Sequence, residues 1–203
     1  MIHPYTEIKK VNDIIGLGVF ATRFIPRGTI TFAVDQLDLQ ITPEQLSTMT
    51  DDYRLIIDKY AYVDEKGNSI VSWDHGKYVN HSCTPNTMST GYGFEIAIRD
   101  ILPGEEITDD YGLFNLTEPM PVSCCSEGCR GHVLPNDIDT FADSWDALLK
   151  VVLKNVQDVD QPLLCYLNDQ TIQELNAFLA NDLMYKSVRQ LKYEEAAEMV
   201  QAC

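Results

Sequence analysis

Asn80-His81-Ser82-Cys83-Thr84-Pro85-Asn86 sets a carboxamide, an imidazole and a thiol within a few residues of one another. Imidazole and thiol are groups that ligate metals, titrate near neutral pH or hold a cofactor. Pro85 forbids a helix through this stretch and biases Thr84 toward extended backbone. Asn80, Ser82 and Asn86 can each bond neighbouring backbone, so a polar surface turn accounts for the segment taken alone. Downstream, Cys124, Cys125 and Cys129 fall within six residues, a metal-like spacing. The N-terminus MIHPYTEIKKVNDIIG lacks a signal-peptide core, which disfavours disulfides and makes zinc the expected use of the thiols. Between the two clusters lies Glu106-Ile107-Thr108-Asp109-Asp110-Tyr111-Gly112, two acids running into a phenol.

The elements that position these groups are short. Tyr5 to Val34 reads as extended segments joined by turns, with Pro26-Arg27-Gly28 leading into the β-branched run Thr29–Val34. GLGVFA, residues 16–21, satisfies the G-x-G-x-x-A dinucleotide pattern. That motif needs a helix opening at its glycines, and Pro26 and Gly28 arrive too soon for one, so the dinucleotide reading is rejected. Thr42, Pro43 and Gln45 predict a capped helix over about 43–59, broken near Thr50-Asp51-Asp52. Tyr60–Val63 and Ser69–Trp73 predict a hairpin, and Phe94–Ile98 a strand. Beyond Asn136 the apolar spacing turns helical: Phe141, Trp145, Leu148, Leu149, Val152 and Leu153, then 171–180 and 183–200, with Asp137 or Asp139 as the first cap.

A chain of 203 residues with 45% hydrophobic and 23% charged residues is an ordinary globular composition. Its net charge of −16 argues against general nucleic-acid binding and favours basic proteins or peptides as partners. No apolar run approaches the roughly 20 residues of a membrane span, so the expectation is a soluble, intracellular, cytoplasmic protein.

Four motifs in this order resemble the SET-domain protein-lysine N-methyltransferases: GLGVFATRFIPRGT, NHSCTPNT, FEIAIRDILPGEEITDDYG and CCSEGCRG. The resemblance covers roughly residues 5–132 and marks the chain as similar to a small stand-alone member with a partial post-SET cysteine motif. It implies an α+β fold of several short sheets around a pseudoknot, with a SET domain over 1–135 that includes a post-SET segment at about 117–132. A helical extension over 136–203 follows. The implied cofactor is S-adenosylmethionine, held by Gly16, Leu17, Gly18, Asn80 and His81, and the implied catalytic residue is Tyr111. Methyl transfer is an in-line displacement whose main demand is positioning. Its lysine must be neutral against a pKa of about 10.4, which burial beside a sulfonium lowers.

The resemblance also implies a zinc on Cys83, Cys124 and Cys129. The position of the family's remaining cysteine falls on Val122, so Cys125 or His132 is the candidate fourth ligand. A second departure is Asp109, where many relatives carry an aromatic; an acid there either attracts the lysine or faces solvent. Val122 and Asp109 keep open an alternative, a SET-like module without turnover that binds basic partners through its acidic surface. A small zinc-binding structural protein with accidental motif matches is the third reading.

Overall fold

The computed structural model describes residues 1–122, 124 and 128–194. Cys125, and the end of the last expected helix, lie outside these residues. β1 (Thr6–Asn12) and β2 (Gly16–Ala21) form an antiparallel hairpin. GLGVFA is thus a strand throughout, and no helix opens at its glycines. β3 (Ile30–Ala33) is buried along its whole length, as its Ile-Thr-Phe run predicts. β4 (Leu39–Ile41) precedes α1 (Pro43–Ser47) and α2 (Asp51–Tyr60), so the expected break falls just before Asp51, at residues 48–50. The capping box is complete: Gln45 N–H donates to Thr42 Oγ1 at 3.3 Å and Thr42 N–H to Gln45 Oε1 at 2.9 Å. β5 (Tyr62–Val63) and β6 (Ser69–Val71) make the predicted hairpin, and β6 also pairs with β4.

β7 (Asn80–His81), β8 (Thr87–Ser89), β9 (Phe94–Ala97) and β10 (Glu106–Asp109) complete the central strands. One sheet runs β1-β2-β10-β7, another β3-β9-β8. β10 pairs antiparallel with β2 through Glu106 and Ile107, then parallel with β7 through Thr108 and Asp109. The segment leading to Tyr111 is therefore inserted between β2 and the Asn80–His81 strand, as the expected pseudoknot requires at its centre. Short strands in several small sheets, with helices beside them, make this the expected SET-type α+β fold.

β11 (Met120–Pro121) and β12 (His132–Val133) pair and lead into α3 (Asp137–Val152), later followed by α4 (Asp169–Ala180). The helices share the core of the β3-β9-β8 sheet, while Val19 of β2 and Ile107 of β10 lie in a second cluster with Ile2, Ile25 and Ile101. Trp145, Leu149, Val152, Leu153 and Phe178 are buried in one cluster with Ile30, Met88, Phe94 and Ile96. Each side chain of this size removed from water contributes roughly 1.5–3 kcal/mol.

Two helical expectations are corrected. The residue at the N-cap of α3 is Asn136, without a side-chain bond, whereas Asp137 is the first helical residue and buried. Its carboxylate lies 3.6 Å from Arg130, so it serves an ion pair rather than a cap. The stretch from Leu183 is two 3₁₀ turns, Asp182–Met184 and Val188–Leu191, with no α-helix among the described residues. Asn181 and Ser187 side chains accept from Leu183 and Arg189 backbone, and each local bond starts a fresh turn in place of a continuing helix.

Candidate active site

The β2–β10–β7 junction brings the dispersed motifs together. Asn86, from the NHSCTPN stretch, is buried and ties the junction: its amide donates to Glu106 O at 2.7 Å while its oxygen accepts from Thr108 N–H at 2.9 Å. Thr87 Oγ1 donates to Thr108 O at 2.9 Å, and Ser82 N–H to Asp109 O at 3.0 Å. These bonds fix β10 against the loop and so fix where Tyr111 leaves it. Sequence reasoning quoted Asn86 without giving it this role, since nothing local says which backbone a distant amide will meet.

Tyr111 opens a short 3₁₀ turn whose N-cap is Asp110. Its backbone N–H donates to His81 Nδ1 at 3.2 Å, and its hydroxyl donates to Val79 O at 2.6 Å. Its ring lies 5.1 Å from that of Phe114 and 5.5 Å from that of His81. The phenol borders a cavity of about 420 Å³ walled by Phe32, Tyr60, Tyr62 and Phe114. Burial, followed by the charges of Asp109, Glu95 and Glu106, raises the phenol's pKa well above its ordinary value. The hydroxyl is therefore neutral at any ordinary pH.

The proposed cofactor residues gather on another edge of the same junction. Asn80 Nδ2 donates to Leu17 O at 3.0 Å and to Glu106 Oε1 at 2.8 Å. Leu17 is 42% exposed, and the Cβ position of Gly16 meets no atom within 4 Å, so the edge is open. Gly18 is different. A Cβ there would fall 2.7 Å from Val11 Cγ2 and collide with the Glu106 carboxylate, so the missing side chain makes room for the chain's own groups. A carboxamide, a carbonyl and a carboxylate at an accessible strand edge suit a ligand bearing both an amine and a base with hydrogen-bonding edges.

Asp109 settles the choice left by its sequence position: it is fully buried and does not face solvent. Its Oδ1 accepts from Asp110 N–H at 2.6 Å, and Ser89 Oγ donates to its Oδ2 at 3.3 Å. A side-chain hydrogen bond joins it to Glu95. Burial, then the Glu95 charge, holds its pKa well above the carboxylate range. Glu95 was missed in the sequence because one acid in Phe94-Glu95-Ile96-Ala97-Ile98 reads as the solvent face of an alternating strand.

The thiols converge in part. Donor atoms of His81, Cys83 and Cys124 all lie within 4.8 Å of one another. His81 Nε2 is 3.3 Å from Cys83 Sγ, and Arg130 N–H donates to the same sulfur at 3.3 Å. Because His81 Nδ1 accepts from Tyr111, its Nε2 carries the hydrogen and donates to Cys83. The imidazole is thus a partner of the sulfur rather than a nitrogen ligand. Burial, with Cys124 beside it, pushes the Cys83 thiol up to about 11. Cys129 is half-buried and outside the convergent group, its sulfur 3.9 Å from Val122 O, and His132 is exposed on β12. Arg130, which sequence reasoning passed over, binds Asp110 at 2.5 Å and so couples the cysteine segment to the tyrosine turn.

A scan against family models matches residues 16–112 to the SET domain. The chain is 30% identical over 146 residues to a variant-silencing SET domain-containing protein of Plasmodium falciparum, covering 63% of this chain and 6% of that protein. It is 34% identical over 92 residues to an H3 lysine-4 specific histone-lysine N-methyltransferase of Schizosaccharomyces pombe, covering 41% and 9%. The chain therefore spans less than a tenth of the length of these curated relatives. Among solved structures, the methyltransferase domain of human histone-lysine N-methyltransferase SETMAR is similar at 20% identity and a TM-score of 0.43, over 66% of this chain and 58% of that one. No helix of the described residues is long and apolar enough to cross a membrane. With the glycine strand, the NHSC loop and the tyrosine turn meeting at one junction, residues 16–112 are a SET domain.

Proposed function

We propose that this protein is a protein-lysine N-methyltransferase that uses S-adenosylmethionine and acts on basic proteins. The observation that carries the reading is Tyr111: a neutral hydroxyl held in an aromatic-walled cavity, beside the junction that bears Asn80 and His81. Its hydrogen is committed to Val79 O, which leaves the oxygen lone pairs to accept from an incoming amine. The aromatic walls suit a lysine stem, which packs its methylenes on apolar surface and draws its cationic head toward ring faces. The net charge of −16 favours a basic partner and opposes direct nucleic-acid binding.

Gly16, Leu17, Gly18, Asn80 and His81 are the residues that would hold the cofactor, and the donor set at their edge fits it. S-adenosylmethionine, when bound, supplies a methyl group on a positively charged sulfur. The chain's own work is to orient the amine through Tyr111, to desolvate it within the rings, and to keep the phenol protonated.

Cys83, Cys124 and Cys129 are proposed as zinc ligands, with His81 donating to the Cys83 sulfur from outside the metal's ligand set. Two thiols already side by side fit the chemistry of that ion. Elemental analysis of the purified protein is expected to find zinc, and Cys83→Ser to lose it. Zinc retained by Cys83→Ser would remove this assignment.

The test of the activity is incubation with labelled S-adenosylmethionine and core histones. Label on lysine is the expected result. Cofactor binding by calorimetry without label on any basic protein would instead favour a SET-like module that binds its partners without turnover.

A further inference from the structure

The chemistry proposed above leaves Glu95 without a task. On β9 its neighbours Phe94 and Ile96 are buried in the core, while Glu95 turns to the other face. There it borders the 420 Å³ cavity that holds Tyr111, and also an adjoining cavity of about 350 Å³. Behind it stands Asp109, hydrogen-bonded to Glu95 and pinned by Ser89 and by the Asp110 N–H. Ser89 is itself the strand partner of Glu95 in the β8–β9 pairing, so three polar side chains from β8, β9 and β10 meet at one point.

We propose that Glu95 is the base that receives the proton of the target lysine, with Asp109 as the residue that positions it. This rests on the lysine-methyltransferase reading. An amine entering as an ammonium must lose a proton before it can attack. The lysine N–H bond breaks, its electron pair stays on nitrogen, and the proton forms an O–H bond on a Glu95 oxygen. The products are a neutral amine and a neutral acid, the pair that a desolvated cavity favours over two charges. The proton then leaves to water through the open side of the cavity.

Two carboxyls joined by a hydrogen bond do not both ionise at neutral pH, and the pair retains a proton. Burial raises Glu95 to about 7, against the lowering pull of Asp109 and the N-terminal ammonium. A base near the working pH is best placed to take a proton quickly. The other groups facing it are Tyr111 and Tyr62, both held protonated by burial. Charged residues of the cavity walls are Asp58, Lys59 and Lys77 on one side and Asp64, Glu65 and Lys66 on the other.

The experiment is the pH profile of kcat/KM for methyl transfer to core histones, comparing the unaltered protein with Glu95→Gln and Glu95→Asp. The expected profile rises through about pH 7 and is flat above it. Glu95→Gln is expected to lose about 100-fold or more at pH 7, in line with general-base contributions. Its rate is then expected to climb steadily toward the lysine's own pKa of about 10.4. Glu95→Asp is expected to restore part of the plateau. A uniformly lowered rate with an unchanged profile would mean a structural role, and an unchanged rate no role; either overturns the proposal. If the unaltered protein transfers no methyl to any basic protein, the lysine reading falls and this inference falls with it.

Discussion

At the scale of single residues, the site depends on where hydrogens are committed. Tyr111 gives its hydrogen to Val79, His81 takes one from the Tyr111 backbone and gives one to Cys83. His3 shows the energetic side of burial. It is 2% exposed, accepts from Tyr5 N–H, and burial lowers its pKa to about 4. Since the folded value lies below the unfolded one, the contribution is fully present above pH 6.5 and is lost as pH falls toward 4. The loss amounts to at most about 3 kcal/mol. Urea unfolding at pH 7 and pH 5 is expected to show a smaller pH sensitivity in His3→Gln than in the unaltered protein. Equal sensitivity would show that His3 titrates normally in the fold. Asn86 is costly to remove, because its amide bridges two backbone groups of β10. Asn86→Leu is expected to destabilise by about 2–4 kcal/mol in urea unfolding, since one buried acceptor and one buried donor lose their partner. A change below 1 kcal/mol would show that water replaces it.

At the scale of elements, what the sequence made legible follows locality. The Thr42–Gln45 capping box, the break at Thr50 and the Tyr62–Val63 hairpin arm are set by neighbours within a few positions, and each was read correctly. The residues of three family motifs lie together at the β2–β10–β7 junction. What could not be read is long-range. Asn86, Glu95 and Arg130 act through partners about 20 residues away or on another sheet, and no periodicity encodes that. The 3₁₀ turns after α4 were misread because Leu183 and Met184 keep an apolar spacing while lying exposed. The tyrosine turn also depends on α3. A Cβ at Gly112 would fall 2.9 Å from the Trp145 ring and 3.0 Å from Asp137 Cβ, so the turn sits flat on the helix. Under the proposed activity, Gly112→Ala is expected to cut methyl transfer about tenfold or more while binding of S-adenosylmethionine is kept. Unchanged transfer would show that Tyr111 tolerates movement of its turn.

At the scale of the whole molecule, the helices share the core of the β3-β9-β8 sheet and Trp145 underlies the tyrosine turn at Gly112, so the segment after Pro135 is part of what keeps the site in shape. Trp145→Ala is expected to cost about 3–5 kcal/mol, as large-to-small changes at buried aromatics do. Its thermal unfolding is expected to remain a single transition. Separate melting of sheets and helices would contradict a common core. The central claim concerns what happens where core, junction and cavity meet. The measurement that tests it most directly is the amount of labelled methyl placed on lysine of core histones by the unaltered protein and by Tyr111→Phe, with calorimetry confirming that both bind S-adenosylmethionine. Label present with the tyrosine and lost in the phenylalanine variant is the predicted result. Equal labelling by both proteins, or binding without labelling by either, would contradict the account.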